Sequence, residues 1–214
     1  MLNFNPAIKT LVFDLGNVII DLDIERTWSS LQHHLGDDFF EKIKHIYPNG
    51  DVFIDFEIGI ISEKTFFDTL RAASEHPLSI RTLMEAWNAM LLTINPERFK
   101  MLARLKEKYN VFLLSNTNET HVNFVDGYLR TVHGFSIQEF ETRYFHRSYY
   151  SHLIHLRKPN LNIYNFVIQD AGINPSETLF IDDNLENIGG VIKAGWHGYL
   201  HRIGDEIVDV MQVY

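Results

Sequence analysis

Short apolar runs alternate with segments of helical spacing along most of this sequence. The runs cover residues 11–13, 111–114 and 178–181, and a further short strand is predicted at residues 197–200, after Gly195. A run of this length that stops at turn-forming residues predicts a buried β-strand. Strands that alternate with helices at this spacing favour a parallel sheet with helices on both faces. We therefore predict an α/β fold with a doubly wound, Rossmann-like core.

The segment between the first strand and residue 95 has a different pattern. Residues 24–92 show helical spacing of Phe, Ile and Leu, interrupted at residues 48–50 and 76–77 by turn-forming residues. Ser62 and Thr65 form a capping-like start for one of these helices. We therefore predict that residues 23–95 form an inserted all-helical cap domain, whereas residues 1–22 and 96–214 form the α/β core.

The second half of the chain carries clear helix boundaries. Asn95 and Pro96 predict an N-cap and a first helical position, and we expect this helix to end at Asn110. Two later helices are predicted after Pro159 and from Leu185, and a glycine follows each of them. Residues 131–151 are the least readable part of the sequence, and we assign no element to them.

Composition excludes several classes of function. The chain has 214 residues, 19 Lys and Arg against 28 Asp and Glu, and a formal net charge of −9. This acidic balance disfavours binding to nucleic acids or anionic membranes. There are no cysteines and no apolar run long enough to cross a bilayer. We expect a cytoplasmic monomer or homodimer.

Polar residues follow three of the predicted strands: Asp14, the pair Ser115 and Asn116, and the pair Asp182 and Asp183. Each one alone is an ordinary turn or cap residue. Parallel α/β sheets, however, bind ligands at the carboxyl ends of their strands, where these residues would meet. Two adjacent acids repel each other unless a cation lies nearby. The pattern therefore indicates a cation site at this edge of the sheet.

Four short motifs occur in a characteristic order. They are FDLGNV at residues 13–18, LSN at 114–116, RKP at 157–159 and FIDDN at 180–184. With these motifs the chain resembles the haloacid dehalogenase-like (HAD) hydrolase superfamily over essentially its whole length. Within that superfamily, the FDLGNVI, LSNTN and RKP segments are similar to those of the bacterial α-D-glucose-1-phosphate phosphatase subgroup.

The resemblance implies an aspartyl-phosphate mechanism. Asp14 would be the nucleophile that attacks phosphorus. Mg²⁺ would be bound by Asp14, the backbone carbonyl of Gly16 and Asp183, with Asp182 as a further ligand or directly behind the ligands. The partner implied is a small phosphorylated metabolite.

Four further residues receive roles from the same resemblance. Lys158 would supply positive charge to the nucleophile and to the phosphoryl group. Ser115 and the backbone amide of Asn116 would donate hydrogen bonds to phosphate oxygens. Asn187 would orient the acidic pair.

The chain departs from the family pattern in two places. Most phosphatases of this superfamily have a second Asp two positions after the nucleophile as general acid and base, and Gly16 stands there in this chain. Asp21 and Asp23 lie close enough in sequence to replace that acid, or they are turn residues that lead into the cap. Before Lys158, where relatives often have Glu and Gly, the chain has Leu153 and His155. We expect His155 to be a surface or packing residue.

We therefore expect a Mg²⁺-dependent phosphatase that acts on a small sugar phosphate such as a hexose 1-phosphate. Two alternatives stay open. A 2-haloacid dehalogenase also uses an Asp nucleophile, but it needs no metal, and the acidic pair favours one. A catalytically weak phosphate-binding relative with a regulatory role would explain the missing second Asp.

Overall fold

The computed structural model describes residues 7–211. Its strands are β1 (Thr10–Phe13), β2 (Asn110–Ser115), β3 (Arg147–Tyr150), β4 (Thr178–Asp182) and β5 (His197–Leu200). The helices that follow β1 are α1 (Ile24–Leu35), α2 (Phe39–Ile46), α3 (Val52–Glu57), α4 (Glu63–Ala72) and α5 (Ile80–Asn88). The later helices are α6 (Pro96–Lys106), α7 (Glu119–Tyr128), α8 (Ile137–Tyr144), α9 (Ser151–Ile154), α10 (Leu161–Ala171), α11 (Leu185–Lys193) and α12 (Ile207–Met211).

The strands form one parallel sheet in the order β3-β2-β1-β4-β5. Successive side chains of a strand point to opposite faces. In β1, Leu11 and Phe13 accordingly belong to one buried cluster and Val12 to another. Both faces of the sheet are covered, and this confirms the predicted doubly wound α/β core.

The register of the central strands brings the predicted site together. Phe13 of β1 pairs with Leu113 of β2 and with Ile181 of β4. The next residue, Asp14, donates its backbone N–H to the carbonyl of Ile181 at 2.9 Å. Residues that follow these three strands therefore lie at one edge of the sheet.

Helices α1 to α5 form the cap, which has an apolar cluster of its own. Helices α3, α4 and α5 contribute the aromatic residues Phe56, Phe66, Phe67 and Trp87 to this cluster. The two linkers to the core pair with each other, since Asp21 exchanges backbone hydrogen bonds of 2.9 and 3.0 Å with Thr93 and Leu92. The predicted helical insertion is confirmed.

Two sequence-based expectations about elements are corrected. Helix α6 ends at Lys106 and not at Asn110, because Asn110 already pairs with Thr10 as the first residue of β2. Residues 131–151, for which no element was predicted, contain α8 and the edge strand β3. A capping box of Ser136 and Glu139 begins α8 and was a readable signal in the sequence.

Among residues 7–211, no helix has the length and apolar character needed to cross a membrane.

Candidate active site

Three carboxylates meet where β1 and β4 end. Oxygens of Asp14, Asp182 and Asp183 lie within 4.8 Å of one another. Burial, partly opposed by Lys158 and reinforced by Asp182, raises the pKa of Asp14 to about 7. Burial also raises the pKa of Asp183. The cluster therefore has an excess of negative charge, and a hard divalent cation with oxygen ligands fits it chemically.

Lys158 supplies the positive charge at this cluster. Its Nζ lies 2.7 Å from Oδ1 of Asp14 and 2.7 Å from Oδ2 of Asp182, and only 1% of its side chain is exposed. The ammonium also lies 5.2 Å from the centre of the Phe180 ring. Burial alone would lower the pKa of Lys158, but the two carboxylates outweigh it and the pKa is raised. The ammonium is held charged against Asp14.

Asn116 holds the backbone that carries Lys158. The Asn116 side-chain amide donates to the Lys158 carbonyl at 3.0 Å, and the Lys158 N–H donates back to Asn116 Oδ1 at 3.0 Å. Ser115 is 3% exposed at the end of β2. The structure thus brings Ser115, Asn116 and Lys158 together, and it gives the Asn116 side chain a positioning contact that the sequence did not reveal.

Asn187, to which the resemblance gives an orienting role, contacts Asp182. Its Nδ2 lies 3.0 Å from each carboxylate oxygen of Asp182. The backbone N–H of Asn184 adds a third hydrogen bond of 2.8 Å. With Lys158 on the other side, both oxygens of the fully buried Asp182 are already engaged by protein donors.

Asn17 is a site residue that the sequence analysis missed. Its Nδ2 donates to Oδ2 of Asp183 at 2.8 Å, while its Oδ1 accepts the N–H of Leu22 at 3.1 Å. Asn17 has a φ of 52°, a left-handed conformation that Asn adopts more readily than most residues. An Asn directly after the glycine of the first motif was the available signal.

Gly16 occupies the position of the absent general acid. A Cβ atom at Gly16 would lie 2.6 Å from Cδ1 of Leu22, which fills the space that a longer side chain would need. Gly16 is outside the left-handed region, so its backbone does not require glycine. Leu22 ends in a flexible methyl group, which could move aside for a side chain at position 16.

The two alternative acids face arginines at the cap linker. Asp21 Oδ1 accepts from Nη1 of the buried Arg98 at 2.8 Å. Asp23 Oδ2 accepts from Nε of Arg26 at 3.1 Å. The sequence left open whether Asp21 and Asp23 replace the general acid or are turn residues that lead into the cap. These contacts favour the second interpretation.

The loop before Lys158 keeps a glycine-like shape without a glycine. His155, at the end of α9, has a φ of 57°. It is exposed, and its Nδ1 lies 2.8 Å from the carbonyl oxygen of Ile58 in the cap. His155 therefore takes the backbone conformation that Gly adopts most easily and also contacts the cap.

A cavity of about 340 Å³ lies between this edge of the core and the cap. The core lines it with Gly16, Ser115 and Asn116, and the cap lines it mainly with apolar side chains. A small molecule in this cavity would adjoin the end of β1.

A family model of haloacid dehalogenase-like hydrolases matches residues 8–195. The chain belongs to this family. It is 28% identical over 181 residues to D-ribitol-5-phosphate phosphatase of Bacteroides thetaiotaomicron, with 85% of each chain covered. An HAD family enzyme of the same species, solved with magnesium and inorganic phosphate, is 32% identical, with a TM-score of 0.81 and coverage of 95% of this chain and 98% of that chain. A protein from Porphyromonas gingivalis described as a predicted HAD-like family hydrolase is 30% identical, with a TM-score of 0.83 and coverage of 96% and 97%.

We predict that Lys158→Ala lowers kcat for phosphate-ester hydrolysis by about 10²- to 10³-fold, because a buried cation beside the reacting group stabilises charge in the transition state. Steady-state kinetics of the variant, with thermal unfolding to verify its fold, test this. Lys9→Ala is the matched control, since Lys9 is an exposed lysine paired with Glu177. If the Lys158→Ala variant keeps most of its activity, the proposed role of Lys158 in catalysis is wrong.

Proposed function

We propose that this protein is a Mg²⁺-dependent phosphatase that hydrolyses a small phosphate monoester of a sugar or sugar alcohol. The contact of the buried Lys158 ammonium with Asp14, beside two further carboxylates, is the observation that carries the proposal. The relatives support it, because one is a D-ribitol-5-phosphate phosphatase and another was solved with magnesium and inorganic phosphate.

The metal would be held by Asp14, Asp183 and the backbone carbonyl of Gly16. Asp182 would lie behind these ligands, since its oxygens are engaged by Lys158 and Asn187. Magnesium, when bound, would neutralise phosphate charge and align the ester with the nucleophile. Asn17 would hold Asp183 in place through the 2.8 Å hydrogen bond.

The reaction would proceed in two displacements at phosphorus. Asp14 attacks phosphorus, so that a bond forms to its carboxylate oxygen while the bond from phosphorus to the ester oxygen breaks. The ester oxygen takes a proton from water and leaves as the alcohol. Lys158, Ser115 and the backbone amide of Asn116 stabilise the phosphoryl oxygens. Water then cleaves the aspartyl-phosphate and releases inorganic phosphate with free Asp14.

The cap of residues 23–95 would cover the ester during this reaction. Closing a lid over a site excludes water and shapes the space for the leaving alcohol. The cavity of about 340 Å³ fits a small phosphorylated metabolite. Phosphate release distinguishes the proposed phosphatase from the two alternatives, since neither a dehalogenase nor a regulatory relative without turnover releases phosphate.

Two substrate types are candidates. The subgroup resemblance and Gly16 both favour a hexose 1-phosphate. The anomeric hydroxyl is more acidic than an ordinary alcohol, so it leaves more easily when no general acid is present. A sugar alcohol 5-phosphate follows from the relative that hydrolyses D-ribitol 5-phosphate. Phosphate release from a panel of both types and an aryl phosphate, with and without Mg²⁺, tests the function and separates the candidates.

We predict that sugar 1-phosphates and aryl phosphates are hydrolysed faster than 5- and 6-phosphates. General acid catalysis contributes about 10²- to 10⁴-fold, and poor leaving groups lack it here. With aryl phosphates, hydrolysis of the aspartyl-phosphate becomes limiting, so rapid mixing should show a burst. Gly16→Asp with Leu22→Ala, which clears the space beside position 16, should raise the rates of the alkyl phosphates. Rates that ignore leaving-group acidity, without a burst, would contradict this prediction.

A further inference from the structure

Glu57 and Arg157 both line the cavity, Glu57 from the cap and Arg157 from the core. Glu57 ends α3 of the cap, and Arg157 directly precedes Lys158 in the core. Arg157 Nε donates to Glu57 Oε1 at 2.6 Å, and the side chains are 30% and 27% exposed. The other titratable group of the described lining is His121, whose pKa burial lowers to about 4, so it is neutral near pH 7. Within the described lining, this pair carries the formal charge.

The cap is docked beside this pair by other contacts. The Ser151 hydroxyl lies 2.6 Å from the backbone carbonyl of Glu57. His155 Nδ1 lies 2.8 Å from the carbonyl of Ile58. These contacts involve the cap backbone and do not need the Glu57 side chain. The backbone contacts therefore hold this part of the cap on the core, and the Glu57 carboxylate is not required for that.

The pair keeps hydrogen-bonding capacity for a ligand. Among residues 7–211 its hydrogen bond uses Oε1 and Nε, so Oε2 of Glu57 and the terminal nitrogens of Arg157 have no protein partner. A carboxylate accepts and a guanidinium donates, whereas a hydroxyl group can do both. An uncharged ligand with several neighbouring hydroxyl groups could therefore donate to Glu57 and accept from Arg157 at the same time.

The rest of the cavity suits the carbon chain of such a ligand. Trp28, Phe53 and Trp87 line it from the cap. Their ring centres lie 5.5 to 6.2 Å apart and form one aromatic surface. In phosphoryl transfer the leaving oxygen lies in line with the attacking oxygen, on the far side of phosphorus. The leaving alcohol would therefore extend from the end of β1 into this cavity.

We propose that Glu57 and Arg157 are specificity-determining residues that bind hydroxyl groups of the leaving alcohol. This rests on the proposed phosphatase function and names the residues that would recognise the hydroxyl groups of the sugar or sugar alcohol. The pair contributes to binding of the alcohol, while Asp14 and Lys158 act at phosphorus.

Glu57→Gln and Arg157→Gln test the proposal by comparing substrates. Kinetics are measured with α-D-glucose 1-phosphate, D-ribitol 5-phosphate and phenyl phosphate, which has no hydroxyl groups on its leaving group. The loss of a hydrogen bond to a charged side chain should lower kcat/KM by about 10- to 100-fold for whichever of the two hydroxylated esters the wild-type enzyme hydrolyses better. Most of the change should be in KM, and phenyl phosphate hydrolysis should stay near the wild-type rate.

Glu63→Gln is the matched control. Glu63 Oε2 accepts a 2.7 Å hydrogen bond from Thr120 of the core, and neither residue lines the cavity. This variant should leave kcat/KM for all three esters unchanged. Equal losses for phenyl phosphate and the hydroxylated esters in Glu57→Gln would show a structural role and overturn the proposal. Wild-type protein that releases phosphate from none of the three esters would instead refute the phosphatase function itself.

Discussion

Asp14→Asn should reduce phosphate release from every ester by on the order of 10⁴-fold or more, because an amide cannot form the aspartyl-phosphate. The fold should survive the change, since Lys158 keeps its 2.7 Å contact with Asp182. Burial disfavours the Asp14 carboxylate, so its removal should not lower the free energy of unfolding. Single-turnover kinetics with an aryl phosphate and thermal unfolding measure both effects.

Asp23→Asn provides the control for the nucleophile. Asp23 is a partly exposed acid of the linker that pairs with Arg26. Its loss should leave turnover close to the wild-type value. Comparable losses in both variants would mean that the linker acid takes part in proton transfer, whereas substantial turnover by Asp14→Asn would refute the proposed nucleophile.

Removal of divalent metal should abolish activity, and added Mg²⁺ should restore it. Without a cation, the ammonium of Lys158, in contact with Asp14 and Asp182, only partly balances the negative charge of the three carboxylates. Mg²⁺ at about 100 times its Kd should stabilise the fold by about 2.7 kcal/mol. Asp183→Asn should lose most of this stabilisation together with turnover. Asn17→Ala should weaken metal binding by about 10- to 100-fold, because it removes the hydrogen bond that orients Asp183.

The metal affinity should rise with pH through about pH 7. Burial raises the pKa of Asp14 to about 7 in the metal-free protein, so below that pH a proton competes with the metal for this carboxylate. Above that pH the carboxylate is already ionised and the competition ends. Calorimetric titration of Mg²⁺ at pH 6 and pH 8 measures the difference.

Full activity in EDTA would refute metal dependence and favour the dehalogenase alternative.

Local sequence patterns were sufficient to predict the central strands and the cap. Residues 11–13, 111–114 and 178–181 are apolar runs between turn residues, and buried parallel strands require that composition. The helices at Ser62 and Asn95 start where the predicted caps stand, and both side chains accept a backbone N–H. Strand β3 was not readable as an apolar run, because its first two residues, Arg147 and Ser148, are polar and not buried.

The sequence by itself also determined which residue types stand at the strand ends, and with them the family. Only the tertiary structure decided which of these side chains touch. Asp14 and Lys158 are 144 positions apart, and their 2.7 Å contact depends on the parallel register of β1 with β2 and on the two hydrogen bonds by which Asn116, after β2, holds the Lys158 backbone. Leu22 over Gly16 likewise follows from the path of the linker. Contacts between distant residues arise from packing, and the local pattern of a sequence does not specify packing.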